Sequence, residues 1–266
     1  MDRFIWRSPW WQKFNRNLLV GCILCLTFTL TGGVSAETGA EILQRGDASR
    51  AIRPQFAFEM EITAYRSGEE IDRYKLAGYV RIEETKAQTL LYFLDPPKIH
   101  GRKMLMRGDE IWMHFPKTKN VIKLSPMQIL LGEVANGDLL QMGFSTAYQC
   151  RFLPDGDSAD NWCLLLEARE NGGGNYQKII LWVNKESYLP VTGEFYARSG
   201  KLLKSVSYQE YRTVLGKPVA MKVIIRDGQQ RDEYTVMKYL RLVEKSLPPN
   251  YYRKEYLPRF TYVPLN

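Results

Sequence analysis

Apolar and polar side chains alternate along three short segments that follow one another, residues 102–107, 110–115 and 121–124. Because successive side chains of a β-strand point to opposite faces, this alternation predicts strands with one apolar face. Arg107-Gly108-Asp109 is typical of a hairpin turn between the first two segments. We therefore predict three antiparallel strands whose apolar face carries Met104, Met106, Ile111, Met113, Phe115, Ile122 and Leu124.

The methionines on this face have two interpretations. Methionine is flexible and polarizable, which suits an irregular apolar surface that accepts more than one ligand. The same side chains could also fill an ordinary core. The alternation does not decide between these two interpretations.

The same region resembles a known family. The run GRKMLMRGDEIWMHFP, followed by a basic turn and VIKLSP, is similar to the core signature of the LolA-like superfamily, and within it to the outer membrane lipoprotein-sorting proteins. The resemblance extends more loosely over most of the chain after residue 37, and it implies acyl chains of lipoproteins as the ligand. The matching positions are Gly101, Arg102, Met104, Leu105, Gly108, Trp112, Pro116, Val121 and Ser125.

Alternation recurs between residues 56 and 243 and predicts a mainly β fold. Glu37–Arg50 has the spacing of a helix that ends before Pro54. Together with the resemblance, this predicts one domain, residues 37–266, built as an open (unclosed) antiparallel β-barrel of about eleven strands covered by short helices, similar to LolA and LolB. The tail, residues 247–266, is rich in Tyr and Pro, and we expect it to dock in extended form along an edge or rim.

Residues 126–143 break the alternation with a run of apolar residues. An open sheet cannot leave a wide apolar face in water, so we predict one or two short helices here, interrupted at Asn136-Gly137, that cover it. The resemblance implies a lid of this kind. The lining predicted for the concave face is Phe56, Phe58, Met60, Leu76, Val80, Met104, Met106, Met113, Phe115 and Leu124 from the strands, and Met127, Leu130, Leu139 and Met142 from the lid.

The first 36 residues have the features of a signal peptide. Four basic residues precede an apolar run, residues 18–30, and Val34-Ser35-Ala36 is a small-residue cleavage site. That run is shorter than the roughly 20 residues that span a membrane. Leu19–Cys22 is similar to a lipobox, but it opens the apolar run instead of closing it, which favours a chance match. We expect export to the periplasm and cleavage after about Ala36.

Two cysteines, Cys150 and Cys163, flank a predicted hairpin loop at residues 154–157. Cysteines on facing strands can come within bonding distance, and the periplasm is oxidising, so a disulfide is one prediction. Two buried thiols are the alternative. The spacing does not match a zinc site.

We find no pattern that indicates an enzyme, a cofactor or a metal. His100 and His114 lack a metal-binding spacing, and Gly172–Gly174 lacks the Lys-Ser/Thr of a phosphate-binding loop. The acidic loop at residues 155–160 lacks the glutamate that closes an EF-hand. The net charge of +8 is spread along the chain, which argues against nucleic-acid binding.

The predicted function is that of a periplasmic carrier. Each exposed CH₂ of an acyl chain costs about 0.8 kcal/mol in water, and a concave apolar face would remove that cost during transfer toward the outer membrane. The resemblance implies lipoprotein acyl chains or other lipids as ligands, with an inner-membrane transporter and an outer-membrane acceptor as partners. Two alternatives remain open: a lipid-binding partner of an inner-membrane exporter of the resistance-nodulation-division (RND) type, and a periplasmic regulatory protein that senses lipoproteins without transporting them.

Overall fold

The computed structural model describes residues 37–52, 54–83, 86–108, 110–140, 143–170, 174–230 and 232–265. Residues 37–266 form one compact unit. The predicted signal peptide with its cleavage site, Cys22, and the predicted lid residue Met142 lie outside the described residues.

The chain begins with helix α1, Gly39–Arg50. Its N-terminus is fixed by a capping box, in which the Thr38 amide donates to the Glu41 carboxylate at 2.7 Å and the Glu41 amide donates to the Thr38 hydroxyl at 3.3 Å. Ile42 and Leu43 are buried on the face that packs onto the sheet.

One antiparallel sheet of thirteen strands makes up most of the fold, where we predicted about eleven. The spatial order is β6-β5-β4-β3-β2-β1-β15-β14-β13-β12-β11-β10-β9, so the sheet is not closed and its outermost strands are β6 and β9. The strands are β1 Gln55–Arg66, β2 Glu69–Glu83, β3 Lys86–Asp95, β4 Lys103–Arg107, β5 Glu110–Phe115, β6 Asn120–Leu124, β9 Tyr148–Phe152, β10 Asn161–Ala168, β11 Lys178–Asn184, β12 Pro190–Tyr196, β13 Leu202–Val214, β14 Lys217–Asp227 and β15 Glu233–Val243.

The segment between β6 and β9 differs from the prediction of one or two short helices. It forms a two-stranded hairpin, β7 Ile129–Leu131 and β8 Val134–Ala135, and then one 3₁₀ helix, Asn136–Leu140. The helix begins at Asn136, where we expected an interruption. The turn of the hairpin contains Gly132, whose φ of +51° lies in the left-handed region that favours glycine.

The strand register assigns the side chains to two faces. Met60 lies opposite Leu76, and Met104 lies opposite Met113. Residues directly opposite in an antiparallel pair share a face, so the alternating apolar residues of β1–β5 lie on one side of the sheet, the inner face. They form one buried cluster with apolar residues of the far strands, including Leu164, Leu166, Ile179, Leu181, Phe195, Val206, Ile225 and Met237.

Part of the opposite side of β1–β5, the outer face, is also buried. The tail covers it with two 3₁₀ helices, Pro249–Tyr252 and Lys254–Arg259, instead of lying extended along an edge as predicted. A second apolar cluster joins the two, and its members are Ala57, Ala77, Tyr79, Leu90, Leu105, Trp112, Leu247, Tyr252, Leu257, Phe260 and Leu265.

The predicted disulfide between Cys150 and Cys163 is absent, and both cysteines are free. Cys150 lies opposite Leu166 in the β9–β10 pair, so it shares the inner face with Leu166 and Leu164. Along β10, Cys163 comes directly before Leu164, and successive side chains of a strand point to opposite faces. The Cys163 side chain therefore points to the outer face. The two cysteines do lie on the two arms of one hairpin, but the sheet separates their sulfur atoms.

Candidate functional site

A cavity of about 150 Å³ lies on the inner face, where β1–β3 approach β13–β15. Its wall is mostly apolar and includes residues that are far apart in sequence but adjacent in the sheet, because β1 pairs with β15. The apolar and aromatic lining includes Ile52, Phe56, Phe58, Val80, Leu139, Val206, Val223, Ile225, Met237 and Tyr239.

Two elements lie over the inner face: helix α1 and the cover segment, which we define as residues 125–140 and 143–147. The hairpin tip of the cover segment contacts β15, where the Glu133 amide donates to the Thr235 hydroxyl at 2.8 Å. A Cβ added to Gly132 would lie 2.2 Å from that hydroxyl oxygen and 2.9 Å from the Ala64 Cβ. Glycine therefore permits the close approach of the hairpin to the sheet.

A buried ion pair attaches the cover segment to β13. The Asp138 carboxylate pairs with the Lys204 ammonium, and both side chains are only 6% exposed. Asp138 also accepts hydrogen bonds from the Tyr176 hydroxyl and the Ala135 amide, each at 2.7 Å. Burial lowers the pKa of Lys204, while the Asp138 carboxylate acts in the opposite direction.

A second polar contact attaches the other end of the cover segment to helix α1. The Asp47 carboxylate accepts hydrogen bonds from the amides of Phe144 and Ser145, each at 2.7 Å. Arg50, one turn later on α1, donates to the same carboxylate at 2.6 Å. The cover segment is thus attached at both ends by carboxylates, Asp138 and Asp47.

Arg50 also lines the cavity, together with Tyr208 and Tyr211. Burial raises the pKa of both tyrosines, that of Tyr211 to about 12, and the Arg50 guanidinium opposes this effect. The Arg50 Nε atom and the Thr89 hydroxyl are buried in the cavity wall, and neither has a hydrogen-bond partner in the part of the chain that the structure describes.

The lining residues predicted from the sequence fall into five groups. Phe56, Phe58, Val80 and Leu139 line the cavity. Met60, Leu76, Met104, Met106 and Met113 are buried in the same apolar cluster without lining the cavity, and Phe115, Leu124 and Leu130 pack against that cluster while partly exposed. Met127 is 42% exposed. Met142 is the residue outside the described part.

Sequence reasoning missed the wall supplied by β13–β15, which includes Val206, Tyr208, Val223, Ile225 and Met237. The alternation in these strands was visible. The pairing of β15 with β1 could not be recognised from a local pattern, since it joins segments that lie about 180 residues apart. That pairing brings the second half of the chain to the cavity.

Other kinds of site are not evident in the part of the chain that the structure describes. It contains no group of three or more His, Cys, Asp or Glu side chains that could hold a metal ion. None of its helices has the length and apolar character needed to cross a membrane. His114 is buried on the outer face beside Lys103, away from the cavity.

Solved structures with the same architecture come from several bacteria. A LolA superfamily protein from Nitrosomonas europaea is 28% identical, with a TM-score of 0.73 over 83% of this chain and 100% of that one. An outer membrane lipoprotein-sorting protein domain from Vibrio parahaemolyticus is 23% identical, with a TM-score of 0.71 over 83% and 98%. A DUF1329 family protein from Desulfovibrio piger is 16% identical, with a TM-score of 0.73 over 82% and 97%.

The sequence comparisons add one family match. No curated protein matches the chain. A family model described only as "Uncharacterized protein" matches residues 85–259, which is more than half of the chain and includes the signature region and the cover segment. On the family model and the structural neighbours together, the chain belongs to the LolA-like superfamily.

Proposed function

We propose that this protein is a periplasmic carrier that binds the acyl chain of a lipoprotein or another lipid on its inner face and carries it toward the outer membrane. The observation that carries this proposal is an apolar cavity beneath a cover that is attached to the sheet through polar contacts. The chemistry required is binding alone, so no catalytic group is needed.

The size of the cavity indicates how binding would proceed. A cavity of about 150 Å³ holds a molecule of the size of benzene, whereas sites for larger ligands have volumes of about 300–1,000 Å³. An acyl chain therefore has to extend beyond this cavity, and movement of the cover segment away from the sheet would provide the additional space. The apolar cluster beneath the cover, with Met60, Met104, Met106 and Met113, would then extend the binding surface.

The free energy available from such binding is large. Burying about fifteen methylene groups removes roughly 12 kcal/mol of unfavourable hydration. This exceeds the net contribution of about 1.5–3 kcal/mol from each hydrogen bond to a charged group that holds the cover, such as those to Asp47. The free energy of binding an acyl chain can therefore offset the cost of displacing the cover segment, because the ligand replaces the apolar contacts that the cover segment loses.

Membership in the superfamily supports the same function, since the neighbour from Vibrio parahaemolyticus is described as a lipoprotein-sorting domain. We propose residues 1–36 as a cleaved signal peptide and residues 37–266 as the carrier domain. An inner-membrane donor and an outer-membrane acceptor would be its partners.

The test is native mass spectrometry, with lipid extraction, on the protein exported to and purified from the periplasm. We expect bound phospholipid or acylated peptide, or uptake of lipid when the empty protein is incubated with vesicles. Val223→Phe, which fills part of the cavity, should reduce uptake, and Leu240→Phe, at a side chain that is 45% exposed, should not. A protein that stays empty with vesicles and lipoproteins would overturn the proposal and favour a regulatory role.

A further inference from the structure

Two polar atoms in the cavity wall lack a hydrogen-bond partner among the described residues, the Arg50 Nε and the Thr89 hydroxyl. Thr89 is fully buried and the Arg50 side chain is 14% exposed. Buried polar groups in folded proteins are nearly always satisfied, so two unsatisfied groups facing one cavity require an explanation. A ligand with oxygen atoms, bound in the cavity, would provide partners for both groups and would also explain why both face the same cavity.

Arg50 is the only cation among the described residues that line the cavity. Asp47 holds it from one side by accepting a hydrogen bond from Nη2 at 2.6 Å, and the guanidinium carbon lies 5.3 Å from the centre of the Phe144 ring. The Asp47 carboxylate is occupied, because it also accepts two backbone amides of the cover segment. Nε–H therefore remains a free donor of a fixed, planar guanidinium group.

Two other polar side chains of the wall, Asp138 and Tyr211, are already engaged by partners within the protein. Asp138 is the acidic residue of the lining, and it is neutralised by Lys204. The Tyr211 hydroxyl already donates to the Pro190 carbonyl at 2.8 Å. A carboxylate or phosphate oxygen entering the cavity would meet Arg50 as its charged donor, and charge-assisted hydrogen bonds of this kind are the strong ones.

We propose that the cavity recognises an anionic amphiphile, whose carboxylate or phosphate binds Arg50 and whose acyl chain lies along Phe56, Phe58 and Val80. Thr89 lies opposite Val80 in the sheet and offers a hydroxyl to a second oxygen of the ligand. This inference rests on the proposed carrier function and specifies the chemical class of the ligand.

The test compares palmitate with methyl palmitate, which has the same chain without the charge. At pH 8, displacement of a fluorescent fatty acid should show binding of palmitate that is roughly tenfold tighter or more. Arg50→Gln should remove this preference, because it should weaken the binding of palmitate far more than that of the ester. Lysophosphatidylglycerol, compared with palmitate, distinguishes a phosphate head group from a carboxylate. Lysophosphatidylcholine, whose phosphate is balanced by a choline cation, tests whether the ligand must carry a net negative charge.

Matched variants separate recognition of the anion from other effects of the substitution. Arg45→Gln lies on the same helix at an exposed arginine paired with Glu37, outside the cavity lining, and should bind like the wild type. Thr235→Val removes the hydroxyl that accepts from the Glu133 amide, so it loosens the cover segment at a residue outside the cavity lining and should change the affinities for palmitate and its ester in parallel. Thr89→Val should weaken binding of the oxygen-rich lysolipids more than that of palmitate.

The outcomes distinguish the inference from the function on which it rests. Equal affinity of the wild type for palmitate and its ester would overturn the anionic ligand class and leave the carrier function standing. A preference that survives in Arg50→Gln would exclude Arg50 as the anion-binding group. Failure to bind any of these probes would count against the carrier function itself.

Discussion

The inner face of β1–β5 and the part of the outer face beneath the tail both carry buried apolar side chains, but they are covered in different ways. On the outer face the tail packs through aromatic rings, with Phe260 in edge-to-face contact with Tyr79 at 5.5 Å between ring centres. The Tyr79 hydroxyl donates to the Val263 carbonyl at 2.5 Å and accepts from the Val263 amide at 3.0 Å. On the inner face the cover segment is attached through Asp47 and Asp138 above a cavity.

This difference indicates which cover can move. Aromatic packing loses its contacts continuously as the two surfaces separate, and no ligand replaces them. A hydrogen-bonded attachment exchanges its partners for water at a small net cost, and a bound acyl chain would replace the apolar contacts. The tail is therefore part of the core, while the cover segment is suited to opening.

The largest expected effect is on the outer face. Phe260 is 1% exposed, and Phe260→Ala should lower the free energy of unfolding by about 4 kcal/mol because it leaves a large cavity in the packed tail. Urea denaturation measures this loss. The affinity of the folded fraction for lipid should remain that of the wild type. If the substitution lowers the free energy of unfolding by less than about 1 kcal/mol, the tail is not part of the core.

A smaller loss is expected when the inner cover is released. Lys204→Met leaves Asp138 buried without its cation, which should cost about 3 kcal/mol, the lower end of the range for a broken buried pair, because an opened cover exposes Asp138 to water. Hydrogen exchange should increase in residues 129–140 and stay unchanged in residues 249–260.

The double variant Lys204→Met/Asp138→Asn provides the control for this prediction. It removes the unpaired charge and keeps a side-chain oxygen that can accept from Tyr176. Most of the lost stability should return. Exchange that increases equally in the cover segment and the tail would mean that the two faces open together, which contradicts the comparison.

The two covers should respond to pH in opposite directions. On the outer face, burial and the neighbouring Lys103 lower the pKa of His114. In the unfolded chain His114 binds a proton near pH 6.5, and in the folded chain it does so only at a lower pH. The contribution of the neutral histidine to stability is present above that pH and is lost as the pH falls below it.

On the inner face the sign is reversed. Burial, followed by the nearby Asp227, raises the pKa of Glu133 at the hairpin tip to about 7 from an ordinary value of 4.5. The folded chain retains the proton on Glu133 at a pH where the unfolded chain has lost it. The contribution of the protonated Glu133 to the stability of the fold is therefore present below pH 4.5 and is lost as the pH rises through about 7. Hydrogen exchange corrected for intrinsic rates should show a looser tail at pH 5.5 and a looser cover tip at pH 8. Glu133→Gln and His114→Gln should each remove one of these responses.

The inner face was predictable from the sequence because local alternation determines it. Leu76 and Val80 were predicted to line this face, whereas no cover was predicted for the residues between them, Ala77 and Tyr79. The structure buries the whole run from Leu76 to Val80. A continuous apolar run is typical of a strand that is covered on both sides, and that signal would have indicated a cover on the outer face.

The cover segment was predicted in its position but not in its conformation. Its apolar residues indicate burial without distinguishing a helix from a hairpin, since both conformations can bury such a short run. The local signal that could have indicated a hairpin is Gly132, because a glycine can adopt the positive φ of a tight turn between two short strands. The wall from β13–β15 depends on long-range pairing, which no local pattern contains.

The smallest effect is expected from reduction of the two cysteines. Burial raises the pKa of the Cys150 thiol to about 12 and also raises that of Cys163, so both remain protonated and unreactive. The two sulfur atoms lie on different faces: that of Cys150 is next to Gly39 of helix α1, and that of Cys163 is next to Gly156. A disulfide would have to cross the sheet.

Thermal unfolding with and without a phosphine reductant should therefore give the same midpoint for the exported protein. Alkylation after denaturation should label both cysteines of residues 37–266 without prior reduction. A midpoint that falls on reduction would place both sulfurs on one face and shift β9 against β10 by one residue. Such a shift would exchange the inner and outer side chains of β9, so this small effect tests the register on which the distinction between the faces depends.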